Sequence, residues 1–338
     1  MPLPPADPAR RARLNAVKLA ALARDHGDAA AAGAQPAEFG AGAALVADGR
    51  AWLLFDGTPL APLGAALAWA GPRGVAQLDV IVDDSALAGR VARRAAHVTV
   101  PVRVWHAEGR ALACAAPAPL HEPPAVDPRC APFETLIVEA GAEPMIEHGV
   151  LAGEVDGLEV CRAVIDLSTG AARLEVGVGA HDREAFQLVH GDRPTVDALR
   201  DVVAYVRKHR GDGAAVHALD RLAGERRMRH RLLREPEAAG ARTLAVLAPP
   251  EPRRNVRDPA PCFAVGTDGD GEPVVVAVAV GIDLELPLAG AEARAAYEPS
   301  ARLVLAVPAR DVVAPLQRVA AVVRGGAEVR PVEWRVEP

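Results

Sequence analysis

The stretch from Pro117 to Pro132 constrains this chain more than any other feature. It holds six prolines, and each removes a backbone donor and fixes φ near about −65°, so neither a helix nor a sheet ladder runs through it. The residues on either side must therefore build their own cores. A second proline-rich stretch, Pro249 to Pro261, divides the chain again. The expected organisation is an N-terminal α/β domain (1–116), a linker (117–132), a central α/β domain (133–248), a connector (249–261) and a C-terminal α/β unit (262–338). A chain of 338 residues is long enough for two or three domains of about 150 residues.

Within these segments the apolar residues alternate between two periods. In the first, Ala43–Phe55, Leu78–Val82 and Val100–Trp105 read as extended, with helical stretches at residues 8–24, Leu60–Ala70 and Ala86–Ala96. Strands alternating with helices of this length predict α/β layering around a largely parallel sheet. The third segment echoes the first: Val82 to Ala96 and Val307 to Ala321 each join a strand end to an Ala-Ala pair in the next helix. Val102-Arg103…Trp105 and Val329-Arg330…Trp334 then follow. Either these two units repeat one α/β plan, or an Ala/Val/Arg-rich composition makes them alike.

Composition narrows the function classes. Hydrophobic residues make up 50% and charged residues 24%, a balance typical of packed globular chains. The net charge of −6 gives no global field toward nucleic acid or acidic membranes, so a polyanion site would have to be local. No apolar run approaches the ~20 residues of a membrane helix, and the start, Met1-Pro-Leu-Pro-Pro, lacks the apolar stretch of a secretion signal. Cys114, Cys130, Cys161 and Cys262 have no paired spacing and read as small hydrophobes in a reducing compartment. A cytoplasmic protein without a membrane partner is expected. Lys18 and Lys208 are the only lysines among 38 Lys and Arg residues, so arginine clusters carry less information here than elsewhere.

Several chemistries find no support. No Gly-x-Gly-x-x-Gly turn or Gly-Lys-Ser/Thr loop occurs, so neither a nucleotide nor a redox cofactor is indicated. Ser85, Ser168 and Ser300 are the only serines, none in a Gly-x-Ser-x-Gly turn. Asp268-Gly-Asp270-Gly-Glu272 lies between two apparent strands and reads as a polar hairpin turn in preference to a calcium loop.

The central segment carries the chemistry. A helix at Phe133–Ala140 precedes three extended stretches, Pro144–Leu151, Leu158–Ile165 and Arg173–Gly179. Helices at Val196–Val206 and Val216–Arg234 and a strand at Thr243–Leu247 follow. Asp156 and Glu159 start the second stretch and Glu175 sits inside the third, where cross-strand neighbours come within about 5 Å. Carboxylates drawn together repel unless a cation neutralises them, and oxygen ligands suit Mg²⁺ or Mn²⁺. His181 and Asp182, just beyond, are placed to complete a metal site or carry protons. The other reading pairs Glu159 and Glu175 with Arg162 and Arg173 on a solvated sheet face.

The order helix, three strands, helix, strand over residues 131–248, with an acid before the second strand and Glu175 on the third, resembles the PD-(D/E)XK nuclease fold. The resemblance implies an α-β-β-β-α-β core in which Asp156 or Glu159 and Glu175 bind the metal. Glu159, Glu175, His181 and Asp182 are the catalytic candidates; Asp156, Glu159 and Glu175 are the metal candidates. Gly177 stands where that family places a lysine. A helix with Arg226, Arg227, Arg229 and Arg231 offers the best local site for nucleic acid. A protein partner or a homo-oligomer is equally compatible with the sequence. The expected fold is thus multi-domain α/β, with mixed sheets flanked by helices. The expected function is that of a divergent metal-dependent phosphodiesterase or nucleic-acid-processing protein, active or inactive. The alternative is a non-catalytic binding or scaffold protein built from α/β units.

Overall fold

Asp48-Gly49, His148-Gly149 and Asp156-Gly157 each have both residues at positive φ, at 45° and 76°, 48° and 75°, and 47° and 72°. That is the type I′ geometry whose twist suits a two-residue hairpin. The first two turns each cut a stretch that reads as a single extended segment into paired strands, and the third joins the strand before it to the stretch at Leu158–Ile165. In the computed structural model, which describes residues 8–26, 33–40, 42–55, 62–120, 122–179, 196–210, 217–252 and 260–334, they set much of the strand pattern.

Two compact units result. One comprises Met1–Pro119, Ile282–Glu292 and Val312–Val329; the other comprises Leu120–Gly281, Ala293–Asp311 and Arg330–Pro338. The first division falls inside the proline-rich stretch.

The first unit begins with α1 (Pro8–Asp25), followed by β1 (Gln35–Ala37), β2 (Gly42–Ala47), β3 (Arg50–Phe55), α2 (Leu63–Ala70), β4 (Gln77–Val82), α3 (Ser85–Ala95), β5 (Val102–Glu108) and β6 (Ala111–Cys114). The strands form one sheet in the order β1-β2-β3-β4-β5-β6. Only β3/β4 and β4/β5 are parallel; β1/β2, β2/β3 and β5/β6 are antiparallel. The sheet is therefore mixed, not largely parallel, because the Asp48-Gly49 turn folds residues 42–55 back on themselves. One face packs Leu53, Val80, Val82 and Val104 with Leu67 and Val91. The other packs Leu45, Trp52, Leu54 and Ile81 with Leu19 and Leu22 of α1. Helix α3 starts where Asp84 accepts the Leu87 N–H at 2.7 Å, a side-chain cap for an otherwise unsatisfied donor.

The second unit holds two sheets. Helix α4 (Pro132–Glu139) leads into β7 (Glu143–Glu147), β8 (Val150–Val155), β9 (Leu158–Ile165) and β10 (Ala172–Val176), and α5 (Val196–Arg210) and α6 (Gly224–Arg234) follow. These strands form an antiparallel meander in the order β10-β9-β8-β7. Its apolar face packs Leu151, Cys161, Leu174 and Val176 with Ile137, Leu199 and Val203. The strand Thr243–Leu247 (β11), expected in the same core, instead pairs with β12 (Cys262–Thr267). It opens a second sheet, β11-β12-β13-β14-β15, with β13 at Pro273–Val278, β14 at Arg302–Pro308 and β15 at Glu328–Val332. The β12–β13 connection is the polar hairpin read from the sequence, with Asp268 Oδ1 accepting the Asp270 and Glu272 N–H groups, each at 3.0 Å.

Helix α7 (Leu286–Tyr297) joins β13 to β14, and α8 (Ala314–Ala321) joins β14 to β15. The succession α6, β11, β12, β13, α7, β14, α8, β15 therefore has the same element order as α1, β1, β2, β3, α2, β4, α3, β5. In both, two antiparallel pairings precede a parallel one. Among the described residues no helix is long and apolar enough to cross a membrane.

Candidate functional site

The meander places its acids on the face opposite the apolar core. Registers Glu143↔Glu154 and Glu154↔Glu159 put three of them in one row. Between Gly153↔Cys161 and Glu154↔Glu159 the ladder slips, leaving Val160 without an opposite residue. Such a β-bulge breaks the strict alternation of faces. It brings Glu159 and Arg162, three residues apart, to one side: Arg162 Nε and Nη2 donate to Glu159 Oε1 and Oε2 at 3.0 and 2.9 Å. Glu175 lies opposite Arg162 in register, and its Oε1 accepts from Arg173 Nη2 at 2.9 Å. Glu159 and Glu175 thus share a face, but each is held by an arginine. The pairs run within a strand instead of across strands.

Helix α6 lies on that face. Gly157, in the β8–β9 turn, sits so close that a Cβ there would come within 2.4 Å of the Arg226 carbonyl carbon. Glycine is thus required both for its φ of 72° and for the approach of the helix. Arg226 and Arg229 point from α6 into the sheet, 5% and 1% exposed. Arg226 donates to Glu154 and Glu147; Arg229 Nη1 donates to Glu147 at 3.0 Å and its Nη2 to Glu154 at 3.5 Å. Each carboxylate thereby accepts from both guanidinium groups, closing a ring of alternating charge. Burial works against the charge of Arg226, but Glu154 and Glu147 outweigh it and raise its pKa.

Further contacts fasten the helix and the turn beside it. His230 bridges Glu143 at 3.0 Å and Asp156 at 3.5 Å, and the hydrogen bond to Glu143 raises the imidazole pKa despite burial. The Glu143 carboxyl is lowered by the same bond. Arg227 donates to Asp220 at 2.8 Å and to the Arg210 carbonyl at 2.6 Å. Arg210, 1% exposed, donates to the carbonyls of Leu219, Leu222 and Asp156. Burial pulls its pKa down to about 10, with Arg227 adding to the effect. Arg231 is the most open of the four basic candidates; it pairs with Glu235 at 3.2 Å and the Glu333 carbonyl at 3.0 Å.

These positions correct the expected nucleic-acid surface. Arg226 and Arg229 are buried against carboxylates, and Arg227, half-buried, is paired with Asp220. The expected metal site fares no better. Glu159 and Glu175 are turned onto arginines, and Asp156 sits on a turn against His230. These side chains do not fit a shared Mg²⁺ or Mn²⁺ ion. No group of three or more His, Cys, Asp or Glu side chains among the described residues is arranged to hold a metal. His181 and Asp182 lie outside the described residues.

Sequence reading missed Glu143, Glu147, Glu154, His230 and Arg210. A signal for the helix was present: Glu225, Met228, Arg229 and Leu232 recur at i, i+3, i+4 and i+7, the spacing of a buried stripe. All four are buried. Comparison of the chain with protein-family models, with curated proteins and with solved structures gives no match in any of the three.

Proposed function

We propose that this chain is a non-catalytic binding or scaffold protein built from α/β units. The observation that carries this reading is the closed ring of Glu147, Glu154, Arg226 and Arg229. It engages two of the arginines expected to meet a polyanionic substrate, while the expected metal ligands Glu159 and Glu175 are paired with Arg162 and Arg173. Buried ion pairs add little net stability over apolar residues, but a lone buried charge is costly, so such a ring favours one docking of α6 over all others. The ring is thereby suited to holding a framework in register.

The test is a metal titration of the full chain followed by thermal unfolding, with Glu175→Gln in parallel. Wild type and variant should respond alike to Mn²⁺ and Mg²⁺, and neither should hydrolyse bis-p-nitrophenyl phosphate. Mn²⁺ stabilisation of the wild type that Glu175→Gln abolishes would instead favour the divergent phosphodiesterase, with His181 and Asp182 completing its site.

A further inference from the structure

Each of the three sheets ends in two strands that have, among the described residues, no strand on their outer side. Such edges invite pairing with another chain unless a proline, a charge, a bulge or short length blunts them. Four of the six are blunted: β1 holds Pro36, β7 Pro144 and β15 Pro331, and β10 holds Arg173 and Glu175. The fifth, β6, is four residues long and half alanine, a residue depleted in strands. The sixth is different. β11, Thr243-Leu-Ala-Val-Leu247, has no proline and no charge, and its register with β12 runs from Thr243↔Thr267 to Leu247↔Phe263 without a slip. Thr243 and Ala245 are exposed, and Leu244 and Val246 are half-buried. In the first succession of elements the equivalent strand is β1, three residues long with its proline. The shared plan thus tolerates a blunted strand at this place, and β11 keeps an open one.

This strand meets its own reverse without conflict. Antiparallel pairing about Ala245 sets Leu244 opposite Val246 and Thr243 opposite Leu247, and the nearest charge, Arg242, falls opposite Ala248, outside the strand. Leu244 packs against the cluster that includes Met228, Leu232 and Ala264, and Val246, in register with Ala264, lies on the same side of the sheet. Cross-strand Leu–Val pairs would therefore extend an existing core. We infer that β11 pairs with β11 of a second copy, antiparallel about Ala245, joining two five-stranded sheets into one. A two-fold axis through Ala245 uses up both edges, so the assembly closes at a dimer. This goes beyond the scaffold reading and stands on different residues; its failure would leave that reading in place.

The two Ala245 side chains would face each other across the axis with their Cβ atoms about 5 Å apart, which gives the test. In sedimentation velocity the full chain should pass from monomer to dimer, and to nothing larger, as its concentration rises. Ala245→Glu and Ala245→Lys each set like charges face to face and should weaken the dimer about tenfold or more. An equimolar mixture of the two variants should restore it, because the opposed charges then attract. Both variants should keep the circular dichroism of the wild type, since Ala245 is exposed. A wild type that stays monomeric throughout, leaving the edge to a strand of another protein, would overturn the inference. So would single variants that associate as the wild type does, or a mixture that stays monomeric.

Discussion

Helices α1 and α6 hold equivalent places in two successions of the same element order, and both are rich in arginine, yet their arginines meet opposite fates. In α1, Arg10, Arg11 and Arg13 are exposed, beside Leu14 at 60% and Val17 at 69% exposure. In α6, Arg226 and Arg229 are buried. Each helix covers one sheet with its apolar stripe, Leu19 and Leu22 against β2 and β3 in one case, Met228 and Leu232 against β12 and β13 in the other. The difference is that α6 also meets the meander, whose outer face offers Glu147 and Glu154. A guanidinium goes where a carboxylate is held for it, and helix composition alone does not decide the matter.

The sheets beneath the two helices differ in the same sense. Asp79 lies opposite Trp52 in β3/β4, and Val304 lies opposite Val276 in β13/β14. Asp79 is fully buried and is satisfied by Trp105 Nε1 at 2.9 Å, Gln77 Nε2 at 3.2 Å and Arg50 Nε. Val304 sits in a dry cluster with Val276 and Val278. One arrangement of strands accommodates either interior, provided that each buried polar atom finds its partner.

Removing one charge from the α6 ring should have the largest effect. Arg229→Ala leaves Glu147 and Glu154 short of a counter-charge and should cost about 3–5 kcal/mol in urea unfolding. The counterpart in α1, Arg13→Ala, should stay within about 0.5 kcal/mol, the range of an ordinary surface change. Comparable losses at both positions would erase the contrast between the helices. Next in size is Gly157→Ala, which meets both a positive φ and the backbone of Arg226 and should cost about 2–3 kcal/mol. In the first unit, Asp79→Val strands the Trp105 and Arg50 donors and should cost about 1–3 kcal/mol, even though valine occupies the matching position of the other sheet.

Much of this pattern was legible and some was not. Strand and helix positions around Val80, Val91, Val275 and Val304 follow from their apolar periods. The extra strands follow from Asp-Gly and His-Gly turns, whose signal lies in two residues and is lost when a stretch is read only for its hydropathy. That Glu159 and Glu175 lie on neighbouring strands of one hairpin was readable. That they share a face was not, because Glu175 is in register with Arg162 and only the bulge at Val160 turns Glu159 to that side. The same bulge lets Arg162 reach Glu159. The partner sheet of β11 was also hidden: a short strand of alternating burial pairs with whichever edge the tertiary fold presents.

The smallest expected effect is a pH dependence at the His230 bridge. Its imidazole pKa is raised above the ordinary 6.5, so its contribution is complete below that value and disappears as pH rises through the raised one. Glu143, lowered from 4.5, contributes above that value and loses its contribution as pH falls through the lowered one. His230→Ala should flatten the stability profile on both sides by about 0.5–1 kcal/mol, the scale of a partly solvated pair. An unchanged profile would remove His230 from the account of how α6 is held.

A double-mutant cycle on Arg226 and Glu154 tests the ring most directly, using Arg226→Ala, Glu154→Ala and the pair, with urea unfolding of each. Side chains joined in one network should show a coupling of about 2–3 kcal/mol, the double variant being less destabilised than its two halves together. Additivity within about 0.3 kcal/mol would mean that the two groups do not meet in solution, and that the arginines of α6 stand open to some other ligand.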